Sequence, residues 1–159
     1  MAELSFEQLR DEWEIAKLVH RYAQAVDRGD CDAWAACFTR DVELRVSDGA
    51  ALGYDTIVGI PERQLKRYSR TFHGVLTQTA TLLSADTAEG EVYCVARHVW
   101  TDYHNSPGSM PFSMTHDFVI KYTDRYRKDD GVWRIRRRAL TVDFREVSQV
   151  ELFTGTVPV

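Results

Sequence analysis

The chain is poor in cysteine, has no long apolar run, and carries none of the common nucleotide or metal signatures. Its three cysteines, Cys31, Cys37 and Cys94, are odd in number and lack CxxC spacing. That excludes a disulfide framework and predicts reduced thiols in a cytoplasm. No stretch approaches the roughly 20 apolar residues that a membrane helix needs. The opening Met1-Ala2-Glu3-Leu4-Ser5 lacks the basic-then-apolar order of a secretory signal. Five histidines are present, but HxH, HExxH and Cys/His pairs are not, so no metal site is expected. The missing GxGxxG, P-loop and serine-elbow patterns remove Rossmann, phosphate-loop and serine-hydrolase readings. Excess positive charge is lacking as well. With 20 Lys and Arg against 24 Asp and Glu, the net charge of −4 leaves no electrostatic footprint for nucleic acid.

What is present suits a single α+β domain spanning residues 1–159. Ser5-Phe6-Glu7-Gln8 reads as a capping box. Apolar residues then recur at helical spacing through Leu9, Trp13, Ala16, Val19, Tyr22, Ala23 and Val26. Gly29 is placed to stop that helix and Asp30 to cap a second, Cys31 to Phe38. Val42, Leu44 and Val46 alternate as a first strand. Asp55 to Ser69 reads as a turn and then a helix with Pro61 in its first turn. From Thr71 the period becomes two, giving strands over Thr71–Leu83, Glu91–Tyr103, Phe112–Arg127 and Val132–Val147. Helices followed by a meander predict a curled, mainly antiparallel sheet wrapped over helices.

Strand alternation sorts the histidines. His98 shares a face with Val92, Cys94, Ala96 and Trp100, and His116 with Phe112, Met114, Phe118, Ile120 and Tyr122. His73 goes with Val75, Thr77, Thr79 and Thr81. A histidine on an apolar face is more often a hydrogen-bonded core residue than a catalyst, and Asp27 beside Arg28 is also ordinary helix-end material. His20 is expected to face solvent and His104 to sit at an exposed loop edge. Cys94 and Trp133 read as packing residues, and Arg134 and Arg136 as a solvated strand edge. Together, however, Asp27, His73 and His98 supply a carboxylate that can hold an imidazole and a second imidazole. With the arginine-rich last strand they form a cofactor-free acid–base set.

Taken in order, several segments resemble the SnoaL-like branch of the nuclear-transport-factor-2-like superfamily. They are Leu18-Val19-His20-Arg21-Tyr22-Ala23-Gln24-Ala25-Val26-Asp27-Arg28-Gly29-Asp30, Phe38-Thr39-Arg40-Asp41-Val42, Phe72-His73, Ser84-Ala85-Asp86, and Tyr126 with Gly131-Val132-Trp133-Arg134-Ile135. The resemblance implies a cone-shaped α+β barrel. Among its members the likeness is to the lyases scytalone dehydratase, hexachlorocyclohexane dehydrochlorinase and bile-acid 7α-dehydratase. It places Asp27 and His73 at their catalytic dyad and His98 at the second histidine of scytalone dehydratase. Tyr22 falls at a tyrosine of the bile-acid enzyme, Arg138 at the dehydrochlorinase arginine, and Tyr122 at a pocket asparagine. Trp100 and His116 join these as pocket-lining candidates. Arg138 has the opposite strand parity from Trp133 and Ile135, so facing the same interior requires a bulge.

The resemblance implies β-elimination, such as dehydration, of a small hydrophobic or aromatic hydroxy or keto compound without cofactor. An isomerase or cyclase would use the same groups. A non-catalytic ligand-binding or assembly subunit, like the dioxygenase β subunits, would need none of them. The named lyases and the apolar strand face bearing Tyr93, Val95 and Val99 predict a homo-oligomer, trimer before dimer.

Overall fold

The computed structural model describes residues 5–100 and 113–152. His104 and the turn around Pro107 lie outside the described residues. Helix α1 (Phe6–Arg28) begins with the capping box in place: Gln8 N–H donates to Ser5 Oγ, and Ser5 N–H donates to Gln8 Oε1. It ends at Gly29, whose φ of 70° is the left-handed cap that a residue with a Cβ adopts at a cost. Between these stops one stripe, Ile15, Leu18, Val19, Tyr22 and Val26, is buried. Burying each such side chain stabilises the helix on the sheet by roughly 1.5–3 kcal/mol. His20 is exposed, as its place on the opposite stripe requires.

Asp30 caps α2 (Cys31–Ala36) by accepting from Ala33 N–H. This helix is shorter than the pattern suggested, because Phe38 already belongs to β1 (Phe38–Arg45) and pairs with Ile135. Next come β2 (Ala51–Leu52), α3 (Tyr54–Ile57) and α4 (Ile60–Arg67) with Pro61 in its first turn. The long strands are β3 (Arg70–Leu82), β4 (Thr87–Trp100), β5 (Ser113–Asp129) and β6 (Val132–Val150). β4 starts earlier than Glu91, because Thr87 and Ala88 pair with Arg127 and Tyr126. The β5–β6 turn is Asp130-Gly131, both with positive φ (53° and 76°), the conformation that a tight hairpin favours.

The strand order is β2-β1-β6-β5-β4-β3, antiparallel except for β1 beside β6. Among the described residues this six-stranded sheet is not closed; it is an open cone with α1 laid inside it against β3 and β6. Two bulges set which residues face α1. Arg125 pairs with Arg137 but Tyr126 with Ile135, so Arg136 is the extra residue. That reverses the parity and turns Arg138 inward with Trp133 and Ile135. In β3 the register shifts between Val75 and Thr77. His73 and Val75 face inward, but Thr77, Thr79 and Thr81 are exposed, while Gln78, Ala80 and Leu82 take their place. The shared face expected for His73 and those three threonines is thereby corrected: simple alternation cannot anticipate an inserted residue.

Candidate active site

Asp27 lies in the last turn of α1, where the helix dipole disfavours a carboxylate. Its oxygens point across to β3 and are held there. Oδ1 accepts from Thr71 Oγ1 at 2.9 Å and lies 2.7 Å from His73 Nδ1, and Oδ2 accepts from His73 N–H at 2.7 Å. Burial pushes this carboxyl up, but the His73 side chain, its backbone N–H and Thr71 together bring it below its ordinary value. Asp27 is thus ionised at neutral pH and can only accept, so the hydrogen of the shared contact belongs to His73 Nδ1. Nε2 is then the ring nitrogen that can take a proton.

The register of β3 and β4 brings the second imidazole alongside. His73 pairs with Ala96, two residues from His98 on the same face. The two rings stand edge to face with centroids 5.5 Å apart. His98 is buried, and its Nδ1 has no hydrogen-bond partner among the described residues. Burial, then the neighbouring His73, push its pKa down to about 4, so it is neutral at neutral pH. An unsatisfied buried ring nitrogen is costly unless something polar meets it.

A row of rings leads away from His98. Tyr68 packs at 4.7 Å from both His98 and Trp100, Trp100 at 4.0 Å from His116, and Phe118 at 5.4 Å from His98. Tyr68, the residue closing α4, had no periodic signal because it stands between a helix and a strand.

Tyr22, Tyr122 and Arg138 meet on the other side, deep in the core. The Arg138 guanidinium lies 4.1 Å from the centre of the Tyr22 ring and 4.2 Å from that of Tyr122. Nε and Nη2 donate to the Asp124 oxygens at 2.8 and 2.6 Å, and Tyr126 also donates to Asp124. Burial disfavours the Arg138 charge, but Asp124 more than compensates and holds its pKa well above the ordinary value. Arg138 Nη1 is buried without a partner among the described residues. Burial raises both the Tyr22 and Tyr122 hydroxyls, so both stay protonated. Sequence reasoning missed Asp124, although a carboxylate in the apolar series Phe118, Ile120, Tyr122, Tyr126 was the visible signal. Asp11 was missed too; it accepts from the buried Trp133 indole at 3.0 Å and pairs with Lys128.

Cys94 is buried inside the cone, and all three cysteines are free thiols. Among the described residues no three His, Cys, Asp or Glu side chains cluster as metal ligands. None of the helices there is long and apolar enough to cross a membrane.

A protein from Novosphingobium aromaticivorans, inferred to be a scytalone dehydratase, is similar over 98% of this chain and all of its own, with 18% identity and a TM-score of 0.75. A type 2 hexachlorocyclohexane dehydrochlorinase is similar over 96% of this chain and 97% of its own, with 17% identity and a TM-score of 0.74. Rv3472 of Mycobacterium tuberculosis, a protein of unknown function, is 25% identical over 86% of this chain and 74% of its own, with a TM-score of 0.70. These identities establish a shared fold. No curated protein sequence matches significantly. The profile of the SnoaL-like domain matches residues 7–139, and the chain belongs to that family.

Proposed function

We propose that the protein is a cofactor-independent lyase that eliminates water from a small hydrophobic or aromatic hydroxy-carbonyl compound. The observation that carries this reading is the Asp27–His73 contact beside a buried, neutral His98. His73 Nε2 takes a proton from the carbon next to the carbonyl, and Asp27 stabilises the imidazolium that forms. The electron pair of the broken C–H bond moves toward the carbonyl oxygen. His98, neutral and close by, donates a hydrogen bond to that oxygen as charge develops. The enolate then expels the β-hydroxyl. The proton that His73 holds is the one available to hydroxide, so water leaves and the base is restored. A pKa near 4 makes His98 a hydrogen-bond donor rather than the acid of this step.

Tyr22, Tyr122 and Arg138 form the polar floor in this reading, with Asp124 fixing the guanidinium between the two rings. Trp100 and His116 line the approach. The active unit is a homo-oligomer, a trimer before a dimer.

The test is a panel of aromatic and polycyclic hydroxy-ketones incubated with the purified chain, followed by absorbance and product mass. Loss of water that requires His73 supports the lyase. A product of unchanged mass assigns the same groups to an isomerase or cyclase. Absence of any reaction across the panel favours a ligand-binding subunit.

A further inference from the structure

One end of the inner face carries positive charge that the elimination chemistry does not use. Phe118 faces inward, packing on both His98 and His116, and β6 places Arg145 directly opposite it. Paired residues of an antiparallel ladder share a face, so Arg145 is on the inner side. From the other wall, Arg67 ends α4, its guanidinium 5.3 Å from the centre of the Tyr68 ring that packs on His98. Arg67 also borders a hollow of about 350 Å³ with Arg63 and Tyr68. Both arginines are exposed, whereas His116 is half-buried and His98 buried. Both also act on the imidazoles. After burial, the charges of Arg145 and Arg67 hold His116 below its ordinary value, and Arg67 adds to the lowering that burial and His73 impose on His98.

Neither arginine has a carboxylate in an ion pair among the described residues. On the same elements, Glu62 of α4 pairs with Lys66 and Asp143 of β6 with Lys121. Glu146 pairs across the sheet with Asp117 and so lies on the opposite face. Among the described residues, two cations without an ion-pair partner thus border the same set of rings, Arg67 at Tyr68 and Arg145 opposite Phe118.

We propose that the substrate carries an anionic group, held by Arg67 and Arg145, while its apolar body lies against Trp100, His116 and Phe118. This rests on the dyad reading for the reacting end, but its own evidence is the arrangement of charge. It narrows the substrate class from neutral aromatic ketones to amphipathic acids bearing a carboxylate, sulfonate or phosphate.

The experiment uses binding, not turnover. Two fluorescent probes of similar shape, anilinonaphthalene sulfonate and the uncharged phenylnaphthylamine, are titrated into the wild-type chain and its variants. Exposed charge pairs contribute modestly, so Arg67→Gln and Arg145→Gln should each weaken the sulfonate about threefold and together about tenfold. The neutral probe should be unaffected, and added salt should reproduce the loss for the sulfonate alone. His73→Gln should leave both affinities as in the wild type, so a failure of the dyad chemistry would show as missing turnover with this charge preference intact. Sulfonate binding that ignores both arginine substitutions, or equal weakening of both probes, would overturn the proposal.

Discussion

Asp27 holds His73 twice, through the ring at Nδ1 and through the backbone N–H, each at 2.7 Å. One carboxylate therefore fixes the position of the strand and the tautomer of the ring together. In Asp27→Asn the side-chain amide can still reach the backbone but no longer offers a charge to the imidazolium. The variant should fold, and nitrogen-15 histidine spectra should show His73 losing its single Nδ1-protonated tautomer. An unchanged tautomer would mean that the contact does not orient the ring.

His98 makes stability depend on pH in a defined window. Its folded pKa of about 4 lies below the ordinary 6.5, so between these values the unfolded chain binds a proton that the folded chain does not. Stability is then complete above pH 6.5 and falls as pH drops toward 4. Relative to His98→Asn, the wild type should lose about 2 kcal/mol between pH 7 and 5, read by urea denaturation. A difference between the two that stays constant with pH would contradict the buried neutral imidazole. Asp27 acts lower: its depressed pKa contributes stability above its ordinary 3.8 that is lost as pH falls through the folded value.

The Arg138–Asp124 pair is fully buried, so each charge depends on the other. Asp124→Asn should destabilise the protein by about 3–5 kcal/mol, because it leaves an uncompensated guanidinium between two tyrosine rings. Arg138→Met with Asp124→Leu should recover much of that loss. Thermal denaturation distinguishes this from a purely catalytic role, which would leave the melting temperature unchanged.

The outer face predicts self-association. Gly74, Val95, Val119 and Phe144 form one row across β3, β4, β5 and β6, with Phe144 61% and nearby Phe72 62% exposed. Light scattering at micromolar concentration should give more than one chain per particle, and Phe144→Arg should lower that mass. A monomer for the wild type would refute it.

Much of this was legible in the residues. Ser5 with Gln8 and Gly29 bounded α1, and the alternation of Cys94, Ala96, His98 and Trp100 put His98 on the interior. Asp27 and His73 belong to elements far apart in the chain, and only the family likeness joined them. The rest depended on pairing. Phe38 became strand because Ile135 offered it a partner, and the β3 bulge turned Thr77, Thr79 and Thr81 outward. Arg138 needed the extra residue at Arg136 to reach Asp124. A one-residue slip reverses every later side chain, and local periodicity carries no record of it.

In the proposed mechanism everything follows from one step, removal of a substrate proton by His73. Its most direct measurement compares single-turnover rate and substrate dissociation constant for wild type and His73→Gln, on whichever compound of the panel loses water. Removal of a general base should lower the chemical rate by about 10²–10⁴-fold while binding changes little. A rate within a few fold of wild type, in a variant that folds and binds normally, would contradict the assignment of His73 as the base.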